Sequence, residues 1–289
     1  MHIIRSRVMG FCSGVQQAVR AVNDAVILGR EEGRKVYTIG PLIHNEAFLE
    51  RLRAEDGVTV IENPDSVEPG IAVIRAHGIP EAERERFLER GFTLIDGTCQ
   101  RVIASQRTVG KAAAAGRQIV IAGNPEHGEV KALLGAAGEY DDIHVMHESS
   151  SIPPGIDCSR SILLLAQTTY SRELYEAITD KLLAACTRDG GELEVIDSIC
   201  PSTLNRQQAL QGLIEKVDAV LIVGGRGSAN TRRLFEIASA SGKPSWLVTG
   251  KEDVTSAMQQ YGTLGITAGA STPEWLVDEV IGVLSGRDL

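Results

Sequence analysis

Short apolar runs recur along the chain. Each ends in a polar or glycine-rich turn and is followed by a helix-like period. The runs are VYTIG (36–40), IAVIRA (71–76), FTLID (92–96), RQIVIAG (117–123), SILLLAQ (161–167), LEVID (193–197), DAVLIVGG (218–225) and LGITAG (264–269). This alternation predicts βα units and parallel sheets. No low-complexity tract or long linker interrupts it, and SSSIPPGID (149–157) reads as an ordinary loop.

The turns repeat. FTLIDGTCQ resembles LEVIDSICP, with Asp96 and Asp197 each three residues before a cysteine, and VMGFCSGVQQAV supplies a third junction cysteine, Cys12. A second polar turn follows each cysteine: GPLIHNE with His44, GNPEHGE with His127 and GGRGSAN with Ser228, at offsets of 32, 28 and 28 residues. A third follows: RAHGIPE with His77, AQTTYSRE with Thr168 and TAGASTPE with Ser271, at offsets of 65, 69 and 71. Three units with three matching turns each predict a pseudo-threefold chain. The boundaries fall at 13–97, 98–198 and 199–289, with the N-terminal strand within 1–12 joining the third unit.

In parallel α/β sheets, ligand-binding groups gather beyond the carboxyl ends of the strands, where helix N-termini also begin. Ser171 and Glu173 look like a helix cap, and Pro273 like a first helical residue. If these ends face inward, nine turns and three cysteines converge on one centre.

The 289 residues are 43% hydrophobic, enough for a packed core, but the net charge of −9 argues against duplex nucleic acid or an anionic membrane surface as a partner. Aromatics at 4% are too few for base-stacking platforms to be the default. No apolar run is long enough to span a membrane, and MHIIRSRVMGFC lacks the core and cleavage pattern of a secretory signal. Five cysteines without close pairs suit a reducing cytoplasm better than a disulfide framework. GGRGSAN has the wrong spacing for a dinucleotide fingerprint, so no bound nicotinamide is expected.

Three lone thiolates from three units suit a metal centre. Structural zinc sites use four ligands, often in close pairs that are missing here, and iron–sulfur clusters usually take four cysteines. With three, one metal position stays open for substrate. Cys12, Cys99 and Cys200 are the ligand candidates. Cys158 and Cys186 lie outside the repeat and are expected to be buried apolar residues. His44, His77, His127, Thr168, Ser228, Asn230 and Ser271 would supply donors suited to a phosphate or diphosphate. Glu129 is the natural proton relay, although taken alone it would be read as an exposed first-turn carboxylate. His2, His144 and His147 are expected at the surface.

The ordered set GFCSGV, GPLIHN, AHGIP, TC within DGTCQ, EHGEV, QTTYS, NRQ after the third cysteine, GSAN and TAGAS spans nearly the whole chain. It resembles the 4-hydroxy-3-methylbut-2-enyl diphosphate reductase family, the LytB-type iron–sulfur enzymes of the non-mevalonate isoprenoid pathway. The resemblance implies a trefoil of three α/β domains around a [4Fe–4S] cluster on Cys12, Cys99 and Cys200, with one iron lacking a protein thiolate. It implies reductive removal of the substrate hydroxyl as water, giving isopentenyl and dimethylallyl diphosphates. His44, His77, Ser228, Asn230 and Ser271 match diphosphate-binding positions. His127, Glu129 and Thr168 match the group near the hydroxyl, with Glu129 delivering protons. Thr203 and Asn205 are counted with the substrate-binding set. Electrons would come from a flavodoxin or ferredoxin in the cytoplasm.

The chain departs from the family pattern at Gln100 (commonly proline), at Leu204 and Ala229 (commonly polar), and at Asn124 and Gly128 (commonly histidine and proline). These changes keep open a paralogue with the same chemistry on another allylic or phosphorylated substrate. A third reading is a non-catalytic cluster-based redox sensor, which would not need Glu129 and Thr168.

Overall fold

The computed structural model describes residues 1–147 and 151–286. The first two residues of SSSIPPGID lie outside them. Among the described residues the chain forms β1 (His2–Arg5), α1 (Ser13–Glu32), β2 (Val36–Ile39), α2 (Glu46–Asp56), β3 (Thr59–Ile61), β4 (Ile71–Ile74), α3 (Glu81–Glu89) and β5 (Thr93–Asp96). There follow α4 (Gln100–Ala114), β6 (Gln118–Ala122), α5 (Gly128–Gly135), β7 (Ile143–Met146), β8 (Ser161–Ala166), α6 (Arg172–Asp189) and β9 (Glu192–Val195). The last elements are α7 (Pro201–Ile214), β10 (Ala219–Val223), α8 (Ala229–Ala240), β11 (Ser245–Val248), β12 (Thr263–Ala268) and α9 (Glu274–Leu284).

The strands make three four-stranded sheets, ordered β3-β2-β4-β5, β7-β6-β8-β9 and β11-β10-β12-β1. Every strand pairing is parallel. The three orders superimpose, with β1 standing in the third sheet where β5 and β9 stand in the others. Alternate residues of the central strands feed two apolar layers per sheet. Val36, Ile71 and Val73 pack on one face of the first sheet, and Tyr37, Ile39, Ala72 and Ile74 on the other. Val120, Leu164 and Ala166 oppose Ile119, Leu163 and Leu165 in the second; Leu221 and Ile266 oppose Val220 and Ile222 in the third. Burial on both faces is why the central strands read as continuous apolar runs.

All eight runs picked out by pattern contain strands. The pattern misses β3, β7 and β11, each an edge strand of three or four residues with exposed or half-buried positions. These edge strands are not sandwiched as fully; β5 and β9 are edge strands too, but the Asp-x-x-Cys turn after each marks them. Two details also differ. Pro273 is the N-cap of α9 rather than its first helical residue. His144 is half-buried on β7 rather than on the surface, because its Nε2 lies 3.0 Å from the Asp142 carboxylate.

The topology explains the cysteines. β1, β5 and β9 are edge strands, and after each the chain leaves its sheet for the next unit. α1 packs on the first sheet, α4 on the second and α7 on the third. Cys12, Cys99 and Cys200 stand at these three crossings.

Candidate active site

Each of the three cysteines is the N-cap of a helix: Cys12 of α1, Cys99 of α4 and Cys200 of α7. A helix N-terminus carries unpaired amides and partial positive charge, which favours an anionic ligand. The Val15 amide donates to the Cys12 sulfur at 3.4 Å. A methyl group on Gly14 would stand 2.7 Å from the Cys99 sulfur and 3.9 Å from that of Cys12, so glycine is what lets the two thiols meet. Among the described residues the three sulfurs do not all lie within 4.8 Å of one another. A single tetrahedral zinc, with Zn–S bonds of about 2.3 Å, needs sulfurs about 3.8 Å apart. Burial raises the Cys99 thiol pKa, and the charges of Cys12 and Cys200 add to that.

The thiols open onto a cleft with a cavity volume of about 100 Å³. All three units line it: His44 and His77 from the first, Cys99, His127 and Thr168 from the second, and Cys200, Thr203, Ser228, Asn230 and Ser271 from the third, with Cys12 at the crossing from the third unit into the first. Almost every one lies just beyond a strand's carboxyl end. His127 caps α5 and Ser228 caps α8.

The three imidazoles form one cluster. Ring centroids are 5.3 Å apart for His44 and His77, 4.9 Å for His77 and His127, and 6.4 Å for His44 and His127. Burial lowers all three pKa values, with nearby positive charge acting in the same direction. His77 falls well below the usual value and His127 to about 4. The rings are neutral at pH 7, and each offers one N–H. The Glu129 amide donates to Nδ1 of His127 at 3.2 Å, which leaves that ring's proton on Nε2. The ring nitrogens come within 4.8 Å of one another, close enough for a metal ion. Against a cation stand the positive charge of Arg75, felt by all three rings, and a surrounding wall of hydroxyl and amide groups. That combination favours an anion.

Orphan polar atoms point the same way. Both the amide nitrogen and oxygen of Asn230, which is 3% exposed, lack a partner, as does Nδ1 of His77. Buried polar atoms without partners are costly, so a site that leaves them open is built for a ligand.

Glu129 is 1% exposed, not the solvated first-turn carboxylate that α5 alone would suggest. Its Oε1 accepts from the Thr168 amide at 2.7 Å and its Oε2 from the Thr168 hydroxyl at 2.7 Å. Burial pushes its pKa up to about 7 against these two hydrogen bonds. Thr168 lines the cleft and Glu129 lies behind it. The Cys200 amide donates to the Thr168 carbonyl at 2.8 Å, tying this pair to the third thiol.

These contacts place the chain among known proteins. A family model described as LytB protein matches residues 3–285. The chain belongs to the LytB family. It is 38% identical over 288 residues to a 4-hydroxy-3-methylbut-2-enyl diphosphate reductase of Treponema denticola, covering 97% of this chain and 98% of that one. A reductase of the same name from Solidesulfovibrio magneticus is 36% identical over 292 residues, covering 98% and 99%. A solved structure of (E)-4-hydroxy-3-methyl-but-2-enyl diphosphate reductase, the terminal enzyme of the non-mevalonate pathway, aligns over 99% of this chain and 100% of its own, at 29% identity and a TM-score of 0.72. The E-1-hydroxy-2-methyl-but-2-enyl-4-diphosphate reductase from Plasmodium falciparum aligns over 98% and 88%, at 25% identity and a TM-score of 0.86.

Set on the LytB fold, most departures from the family pattern turn away from the cleft. Gln100 is exposed at the start of α4. Leu204 packs against the core of the second unit. Asn124 is a turn residue whose side chain accepts from the Glu126 amide at 2.9 Å. Only Ala229 of this group lines the cleft. Asn205 is not brought to the site: Thr203 faces the cleft, and two residues on, about 200° around α7, Asn205 is exposed. Cys158 and Cys186 are buried in the second unit's core, away from the other thiols. His2 and His147 are exposed.

Arg206 is a site neighbour that pattern alone did not single out. It is buried, donates to the Gly10 carbonyl at 2.6 Å and the Ser202 carbonyl at 3.0 Å, and lies within electrostatic reach of Cys12 and Cys200. It clamps the Cys12 loop to the helix that begins at Cys200. Its only sequence signal is the central position in NRQ.

Proposed function

We propose that this chain reduces 4-hydroxy-3-methylbut-2-enyl diphosphate, removing its allylic hydroxyl as water with two electrons and two protons to give isopentenyl and dimethylallyl diphosphates. One observation carries the reading. A single cleft joins three N-cap thiols, a buried acid bonded to a cleft hydroxyl, and a wall of imidazole, hydroxyl and amide groups with orphan polar atoms.

Three thiols lining one cleft, each at a helix N-terminus and each from a different crossing of the chain, fit a [4Fe–4S] cluster with one iron free of protein thiolate. Bound there, the cluster supplies electrons and an open Lewis-acid position. The polypeptide does the rest. His44, His77, Ser228, Asn230 and Ser271 offer neutral donors to the diphosphate, and His127 adds Nε2–H. Glu129 holds a proton at neutral pH and passes it through the Thr168 hydroxyl to the departing oxygen. Thr203 closes the wall beside Thr168, its hydroxyl 3.4 Å from that residue's carbonyl. A flavodoxin- or ferredoxin-type protein of the cytoplasm delivers the electrons.

The test is anaerobic turnover by cluster-loaded protein, following oxidation of a reduced viologen and identifying the products. Formation of the two five-carbon diphosphates supports the reading. An intact cluster without turnover contradicts the substrate and leaves Ala229 as the mark of a different one.

A further inference from the structure

Every group proposed above for the diphosphate is neutral, yet the ligand carries several negative charges. Arg101 lines the cleft and Arg232 acts on His44 and His127, but Arg75 is the cation whose charge is felt by all three imidazoles. Arg75 follows β4, two residues before His77, and its guanidinium has no hydrogen-bond or ion-pair partner among the described residues. Its Nε is buried without a partner. Glu62 and Glu83 attract it without forming an ion pair. Its charge reaches all three imidazoles.

Two glycines hold it in place. A methyl group on Gly40, at the end of β2, would stand 2.7 Å from Nη1, and one on Gly128, at the start of α5, would stand 2.8 Å from Nη2. The guanidinium therefore occupies a slot between the first and second units, open because both walls lack a Cβ. Gly128 is also where the sequence departs from the proline common in the family, so this departure bears on Arg75 rather than on the cleft wall. A partly buried cation whose nearby carboxylates, Glu62 and Glu83, make no ion pair with it is incompletely compensated, and an anion in front of the histidines would offset that cost.

We propose that Arg75 is a positioning residue for the diphosphate: held between Gly40 and Gly128 beside His44, His77 and His127, it adds a positive charge behind all three neutral imidazoles at once. This rests on the function proposed above. Arg75 does not line the cleft. It acts through the histidines, orienting their N–H donors toward the anion and adding its own field.

The experiment measures inhibition constants of inorganic diphosphate and orthophosphate, with KM and kcat, for cluster-loaded wild type, Arg75→Gln, Arg75→Lys and Gly128→Ala. Arg75→Gln should weaken diphosphate about tenfold and raise KM in step, with kcat within about twofold. Orthophosphate, with less charge, should weaken less. Arg75→Lys should restore most of the loss, and Gly128→Ala, which displaces the guanidinium but keeps the charge, should give a smaller loss in the same direction. A merely structural role would affect both anions alike and would not be rescued by lysine. If Arg75→Gln does not fold, an unchanged diphosphate constant in Gly128→Ala overturns the proposal. So does equal binding by Arg75→Gln and wild type while wild type still turns over. Wild type that neither binds inorganic diphosphate nor reduces the substrate would instead overturn the function itself.

Discussion

Thr168 grips Glu129 with both its amide and its hydroxyl, each at 2.7 Å, and stands between that buried carboxyl and the cleft. The acid lies about as near to neutrality as a carboxyl can usefully be, with burial raising its pKa to about 7. Turnover should therefore fall as pH rises through about 7, where Glu129 loses its proton. Glu129→Gln keeps the shape without the proton and should lose about 10²–10⁴ in kcat at every pH. Thr168→Val should lose turnover while its iron content stays unchanged. A Glu129→Gln variant retaining the wild-type pH profile would remove Glu129 from the proton path.

The histidine cluster makes a separate prediction about stability. His127 titrates near 6.5 when unfolded and about 4 when folded. Between those values the unfolded chain holds the extra proton, so stability falls as pH drops through that window. Glu129 has the opposite sign: its folded pKa lies above the unfolded value of about 4.3, so folding gains as pH drops from about 7. Comparing wild type with His127→Asn separates the two. The stability advantage of wild type should shrink as urea midpoints are measured from pH 7 down to 4.5. An advantage independent of pH would contradict a buried neutral His127.

Gly14 is fixed by contact rather than by backbone conformation. Gly14→Ala gains about 1 kcal/mol of helix propensity but drives a methyl group into the Cys99 sulfur, 2.7 Å away. The variant should remain folded by circular dichroism and lose most of its reconstituted iron. Full iron retention would mean the two thiols are not as close as drawn.

Leu204 and Ala229 are both apolar where the family is commonly polar, but they lie in different places. Leu204 belongs to a core, so Leu204→Thr should cost about 1–3 kcal/mol of stability and leave KM unchanged. Ala229 faces the cleft, so Ala229→Ser should leave stability unchanged and lower KM by a few fold at most, the scale of one neutral hydrogen bond. Reversed effects would undo this assignment of the two positions.

What could be read from the chain follows from what leaves a pattern. Central strands sandwiched on both faces write continuous apolar runs, so β2, β4, β6, β8, β10 and β12 stand out. The edge strands β3, β7 and β11 do not, because their environment is mixed and no repeated turn follows them, whereas the equally exposed β5 and β9 are each followed by an Asp-x-x-Cys turn. Turns at strand ends repeat because the fold repeats, so residues as far apart as His44 and Ser271 could be grouped before any contact was known. In the structure the Ser271 hydroxyl lies 3.4 Å from the His44 carbonyl. Asn205 was misplaced because a motif names neighbours in sequence, whereas α7 turns its successive residues to different faces. The slot around Arg75 was not legible at all. It is made by absent side chains on Gly40 and Gly128, which meet only once two units have docked.

The chain's three crossings between units bring Cys12, Cys99 and Cys200 to one cleft, where we propose that they, and no other cysteine, hold one cluster. The most direct measurement is iron and labile sulfide per chain after anaerobic reconstitution of wild type and the five single Cys→Ser variants. The account predicts about four irons in wild type, Cys158→Ser and Cys186→Ser, with marked loss in each of the other three. A full cluster in Cys99→Ser, or one lost in Cys158→Ser, would contradict it.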